Sequence, residues 1–236
     1  MKAEQKILAD TPSLIEAAAE QFVSVARAAI AKRGVFNVAL AGGSTPKGLY
    51  QKLATYPYVE QIDWTRVHLF FGDERCVLPT HEDSNFKMAQ EAMIDHVPIP
   101  SKNVYRMPTE EGVAPDVAIR YCRKMREVLD GEPLDLVLLG LGPDGHIASL
   151  FPDTAALDAT TMTTSVYVEK FESWRVTMTY PTINNARQVI VFIAGEAKAD
   201  IVRDITTDAV KGLPVQRLAP QGDYYWYMDQ AAAGQQ

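Results

Sequence analysis

His146 stands in an unusual setting for a histidine. It closes the loop Gly140-Leu141-Gly142-Pro143-Asp144-Gly145-His146, directly after an apolar run. An imidazole's ordinary pKa suits proton transfer near neutrality, and Asp144, two residues away, is placed to orient or charge-stabilise the ring. A packed histidine is the commoner use of this residue, but packing does not need a glycine-rich loop. Gly140, Gly142 and Gly145 match the spacing of a dinucleotide-binding loop only superficially, because neither an early acidic ribose partner nor an N-terminal position accompanies them.

Three more loops carry candidate chemistry. In Gly42-Gly43-Ser44-Thr45-Pro46, the glycines admit an anion close to the backbone. Ser44 and Thr45 offer hydroxyls, and a helix start offers free N–H groups and the positive dipole end. The same residues also make a good ordinary helix cap. Lys47-Gly48 departs from the GxxxxGK[ST] nucleotide loop. Gly72-Asp73-Glu74-Arg75 places two acids and a fixed cation after a strand. Arg75 there can clamp a phosphate through paired hydrogen bonds, or the segment is a surface turn with a local ion pair. Lys198, in a helix's first turn, is mildly unfavourable by dipole unless an anion offsets it; a solvated lysine is the plain alternative. His68 reads as a packed strand residue, and His81 and His96 as exposed. Ser149 lacks a nucleophile-elbow context and Cys76 lacks a paired base, so no covalent nucleophile is expected.

The elements that must position these loops follow from periodicity. Apolar residues recur at helical spacing over Pro12–Lys32, with Gly34 as the stop. Short apolar runs at Val35–Ala41, Val67–Phe71, Leu134–Leu139 and Gln188–Ala194 read as buried strands. Helices are expected from Pro46 to Ala54, Asn85 to His96, Pro115 to Leu129, and after Gly195 to about Ile205. Val166–Val168 and Arg175–Tyr180 alternate and read as antiparallel strands. Trp226 and its tyrosine neighbours pack a C-terminal segment, Asn184 and Asn185 cap a turn, and the tail from Ala231 is expected to fray. Strands alternating with helices imply an α/β three-layer sandwich with a mostly parallel sheet and some antiparallel strands. The chain is expected to be a single domain over residues 1–236. Ligands of such sheets bind beyond the carboxyl ends of the strands, where all four loops would meet.

Composition narrows the function classes. The 236-residue chain has a formal net charge of −7, which argues against a general nucleic-acid surface. Two cysteines outside any CxxC pattern suggest free thiols in a reducing compartment. No histidine pair has zinc-ligand spacing, and no metal or other cofactor is expected. There is no signal-peptide pattern and no apolar run of about 18 residues, so a cytoplasmic protein with no membrane partner is expected, monomeric or weakly homo-oligomeric.

The segments ALAGGSTPKGLY, FFGDERCV with HEDSNFKMA, DLVLLGLGPDGHIASLFP and FIAGEAKADIV, with GLPVQRLAP near the end, together resemble the glucosamine-6-phosphate isomerase/6-phosphogluconolactonase family, on its lactonase side. The motifs lie in the family's order and cover nearly the whole chain. The resemblance implies a modified Rossmann-like fold and hydrolysis of a sugar-phosphate δ-lactone. His146 would be the general base and Asp144 its orienter. Gly43, Ser44, Thr45, Arg75 and Lys198 would hold the phosphate, and Gly42, Asp73, Gly142 and Gly145 would make further contacts. Backbone N–H groups near Gly142 to Gly145 would be candidates for the oxyanion. The family's deaminases share the GSTP and DGH loops. They usually carry Asp-Glu-Tyr where this chain has Asp73-Glu74-Arg75, and Asn-Glu-Pro where it has Ser149-Leu150-Phe151-Pro152. Leu78, often Pro in the family, and the loop after Phe151 are the departures. The alternatives are a deaminase or isomerase and a non-catalytic sugar-phosphate sensor. The sensor would need a DNA-binding segment, for which one helix before the first strand leaves no room.

Overall fold

Apolar runs shielded on both faces belong in the interior of a sheet, and the structure, a computed structural model describing residues 3–235, places them there. Ten strands, numbered along the chain, form two sheets. The larger contains β1 (Glu4–Leu8), β2 (Phe36–Leu40), β3 (Val67–Phe71), β5 (Val104–Tyr105), β6 (Leu136–Gly140), β9 (Gln188–Ile193) and β10 (Asp223–Asp229). Its order is β1-β10-β9-β6-β2-β3-β5, and every pairing in it is parallel. The smaller sheet, β4 (Asp73–Arg75), β8 (Ser173–Met178) and β7 (Thr163–Val168), is antiparallel. The expected antiparallel strands are therefore segregated from the main sheet.

Side chains alternate across the main sheet with period two. Phe36, Val38 and Leu40, with Val67, Leu69 and Phe71, face one core. That face is covered by α1 (Thr11–Arg33), α2 (Ser44–Leu53) and α3 (Asn85–Ala92). Ala39, Phe70, Val137 and Val191 face the other core. There α4 (Ala114–Leu129), the short α5 (Tyr180–Asn184), α6 (Ala199–Thr206) and the smaller sheet pack. The result is the expected three-layer α/β arrangement.

Several boundaries differ from expectation. The helix expected to reach His96 ends at Ala92, with a separate 3-10 turn at Ile94–His96. Four strands were not foreseen. β4 and β5 are only three and two residues long. β1, Glu-Gln-Lys-Ile-Leu, is a charged edge strand, a usual protection against edge pairing. β1 also precedes α1, so α1 is not the first element. The aromatic segment around Trp226 is the second strand from that edge. The tail does not fray at Ala231: Ala232 is fully buried, and Asp229 accepts from Ala232 N through its carboxylate at 2.8 Å and from Ala233 N through its carbonyl at 3.0 Å.

Candidate active site

The chain runs from β2 outward to β3 and β5, then returns through α4 to β6 on the other side of β2. Such a reversal opens a crevice at the carboxyl ends of the strands. A cavity of about 280 Å³ lies there, and its walls include Gly42, Gly43, Ser44, Thr45, Asp73, Arg75, Gly142, His146 and Lys198. Four loops distant in sequence thus converge because β9, β6, β2 and β3 are adjacent and parallel.

The loop after β6 holds the histidine. Asp144 Oδ1 lies 2.5 Å from His146 Nδ1 and also accepts from the His146 backbone N–H at 3.3 Å. Burial pushes the Asp144 carboxyl up, but the hydrogen bonds and charge of His146 outweigh it, and the net direction is down. Nδ1 is therefore engaged, and Nε2 has no protein partner among the described residues. Gly142 is required by close approach: a Cβ there would stand 2.0 Å from His146 Nδ1. Its N–H donates to His146 O at 2.8 Å, and Gly145 N–H donates to Gly142 O at 3.1 Å. Both groups shape the loop, so of the N–H groups expected near Gly142 to Gly145 these two are already engaged within it.

The loop after β2 meets the start of α2. Tyr50 of α2, fully buried, accepts from Ala41 N at 2.9 Å and donates to Ala41 O at 2.8 Å, pinning the strand end. Burial pushes its pKa far up, so it stays a neutral donor. Gly43 is the N-cap of α2 and has no side chain to cap it. Ser44 and Thr45 line the cavity, and as first-turn residues their N–H groups have no intrahelical acceptor, as an anion site needs.

The Gly72–Arg75 segment is neither a surface turn nor an ion pair. Asp73 and Glu74 are 7 % and 3 % exposed. Glu74 caps α3: Oε1 accepts from Asn85 N and Oε2 from Phe86 N, both at 2.8 Å, and Oε2 also accepts from Ser84 Oγ at 3.0 Å. Burial drives its pKa up against those bonds. Asp73 accepts from Ser149 Oγ at 2.6 Å and from Asn85 Nδ2 at 3.1 Å. Arg75 lines the cavity while one guanidinium nitrogen donates to Asp83 O at 2.6 Å.

Lys198 is no solvated lysine. Its Nζ donates to Leu141 O at 2.7 Å, and burial lowers its pKa while the charge of Asp144 raises it. It lies on the cavity wall, in the 3-10 turn that leads into α6.

Sequence reasoning missed Asn85, Ser149, Phe151 and Arg175. Asn85 sits so close to Gly42 that a Cβ there would meet its Oδ1 at 2.1 Å. The Phe151 ring stacks on His146 with centroids 4.1 Å apart. Arg175 is directly opposite Arg75 across β4 and β8. Burial, then the charge of Arg75, lowers its pKa, while Asp73, Asp83 and Glu74 partly offset this. Neither arginine is in an ion pair among the described residues. The available signal was the alternation of the Arg175 strand, whose pairing partner could not be read.

The other candidates lie outside the cavity. His68 packs edge-on to Tyr105 at 5.6 Å, and burial lowers its pKa. His81 is half-exposed, with Nδ1 accepting from Asp83 N at 3.1 Å. Cys76 is unpaired, and burial pushes its thiol up to about 11, which disfavours the thiolate. Among the described residues no cluster of three or more His, Cys, Asp or Glu is arranged to hold a metal ion, and no helix is long and apolar enough to cross a membrane.

An open parallel sheet with an uncapped helix start, half-buried cations and an Asp–His pair at its switch point defines a Rossmann-like α/β protein. The sequence pattern of the family described as glucosamine-6-phosphate isomerases/6-phosphogluconolactonase matches residues 9–226. A 6-phosphogluconolactonase of Nostoc sp. is 36 % identical over 100 % of this chain and 99 % of its own. One of Synechocystis sp. is 37 % identical over 98 % of each. The solved 6-phosphogluconolactonase of Trypanosoma cruzi superposes with a TM-score of 0.87 at 29 % identity, covering 99 % of this chain and 96 % of the other. The chain belongs to the glucosamine-6-phosphate isomerase/6-phosphogluconolactonase family.

Proposed function

We propose that this protein is a 6-phosphogluconolactonase, hydrolysing 6-phospho-glucono-1,5-lactone to 6-phosphogluconate. The observation that carries the reading is that His146, held at Nδ1 by Asp144 from outside the cavity wall, and the uncapped start of α2 line the same cavity. Its relatives carry that activity in their names, over essentially the whole length of this chain.

The geometry supports the following chemistry. Water adds to the lactone carbonyl carbon, and His146 Nε2 takes its proton. The bond from that carbon to the ring oxygen then breaks, and the imidazolium returns the proton to the departing oxygen. Asp144 holds Nδ1–H toward itself, so Nε2 faces the water, and it stabilises the imidazolium. The phosphate sits on the N–H groups and hydroxyls of Ser44 and Thr45, with Gly43 allowing close approach. Arg75 and Lys198 supply charge, and Arg175 reinforces Arg75. A charge-assisted hydrogen bond contributes about 1.5–3 kcal/mol net, so a few of them hold a dianion on a protein whose net charge is −7. Asp73 is placed by Ser149 and Asn85 to contact substrate hydroxyls.

The rival within the family is deamination of glucosamine-6-phosphate. The continuation Ser149-Leu150-Phe151-Pro152 follows the lactonase pattern rather than the deaminase one, and through it Ser149 holds Asp73 and Phe151 packs the His146 ring. The test is a pair of assays on the purified protein: acid release from freshly made lactone, and ammonia release from glucosamine-6-phosphate. Acid release alone is expected. Ammonia release without lactone hydrolysis would replace the proposal. Two free thiols and a soluble small-molecule substrate fit a cytoplasmic enzyme.

A further inference from the structure

The turn of the β7–β8 hairpin, Glu169–Glu172, is not used by the reaction as described, yet it reaches the loop of Asp144 and His146 twice. Lys170 Nζ lies 3.8 Å from Asp144 Oδ2, the oxygen not facing His146. The Phe171 ring meets Phe151 edge-on, centroids 5.9 Å apart at 66°. Phe151, 6 % exposed, in turn stacks on His146 at 4.1 Å and 29°.

A single hydrogen bond at Nδ1 leaves an imidazole free to swing about the bond axis, carrying Nε2 with it. A flat ring against one face removes that freedom. Phe171 is 47 % exposed, and Lys170 Nζ and the Arg175 guanidinium lie 5.5 and 5.4 Å from its ring centre. The hairpin beneath it is stiffened by Tyr167 and Trp174, directly opposite in register with ring centroids 5.6 Å apart, a stabilising cross-strand pair. The turn closes through Glu172 N to Glu169 O at 3.0 Å.

We propose that the Glu169–Glu172 turn positions the catalytic pair, with Phe171 acting through Phe151 on the His146 ring and Lys170 acting on Asp144. Phe171 and Phe151 are positioning residues and touch no reacting atom. This rests on the lactonase reading for its rate measurement, but not for its spectroscopic one.

A misplacement of about 1 Å can cost about a hundredfold in rate, and a loosened ring costs less. Phe171→Ala is expected to lower kcat about 3- to 10-fold, with the melting temperature nearly unchanged because the side chain is half-exposed. Phe171→Tyr, which keeps the ring, should return kcat to within about twofold of wild type. In ¹⁵N-labelled protein, the His146 ring signals should shift or broaden in Phe171→Ala and recover in Phe171→Tyr. Wild-type kcat with unchanged ring signals in Phe171→Ala would overturn the proposal, as would equal losses in the alanine and tyrosine variants. If the wild-type protein does not hydrolyse the lactone, the functional reading fails by itself. The ring signals then still decide whether the turn holds His146.

Discussion

His146 is constrained on an edge by Asp144, on a face by Phe151 and at its backbone by Gly142. His146→Ala should retain the circular dichroism of the fold and lose about 10²–10⁴-fold in kcat, the usual worth of a positioned acid–base group. Arg75 is expected to act on binding. Arg75→Ala should raise KM for the lactone at least about tenfold with a smaller change in kcat, measured by steady-state kinetics. Asp144 links the site to stability. Burial raises its pKa, but the bonds and charge of His146 lower it further, so its folded value lies below the unfolded one near 3.8. The stabilisation this represents is present above that value and is lost as pH falls through the lower folded value. The stability gap between wild type and Asp144→Asn should thus be widest above about pH 4 and close in stronger acid, as urea titrations at several pH values would show. A gap that widens on acidification would contradict the assignment.

Among the elements, the clearest case is the coupling of the short strand Asp73–Arg75 to α3. Glu74 caps the helix with both carboxylate oxygens, and Asn85, the first residue of that helix, returns a side-chain bond to Asp73. A helix start with bonded caps is stabilised by about 1 kcal/mol or more. Glu74→Gln keeps the size but loses acceptors for buried N–H groups. It should cost about 1–3 kcal/mol in urea unfolding and loosen substrate binding, because the same segment carries Arg75. In the sequence, Asp-Glu-Arg after glycine resembles a polar surface turn. Its burial depends on β8, about a hundred residues later, which no local pattern predicts. The central strands and long helices were legible because their apolar periodicity reflects the surface each buries. β1 and β5 were not: β1 is a mostly polar edge strand, and the two residues of β5 are too few to show any alternation.

Across the molecule, the candidate site and a buried charge network sit at opposite ends of the central strands. At the amino-terminal end, Asp135 is nearly fully buried and accepts from Arg33 Nη2 at 2.6 Å and Asn37 N at 2.8 Å, with Arg187 Nη1 at 3.8 Å. Burial pushes its carboxyl up against those partners. Removing one member of a buried charge network leaves the others uncompensated, typically at about 3–5 kcal/mol. Asp135→Ala should therefore lower unfolding stability by roughly that amount while KM for the lactone holds, since no member of the network lines the cavity. A large KM change at unaltered stability would refute this separation.

The amino-acid sequence by itself determined the layer architecture, the buried strands, the loops that carry chemistry and the Gly-Pro-Asp-Gly-His centre. Each of these is written in neighbouring residues: periodicity in the apolar runs, turn chemistry in the glycines, proton chemistry in His146 and Asp144. Tertiary structure alone decided that Arg175 stands opposite Arg75, that Ser149 holds Asp73, and that Lys198 reaches the Leu141 carbonyl. The reason is register. Which residues face one another across strands or between loops is set by the pairing of segments far apart in the chain, and that pairing is selected by the burial of the whole sheet rather than by any stretch of it.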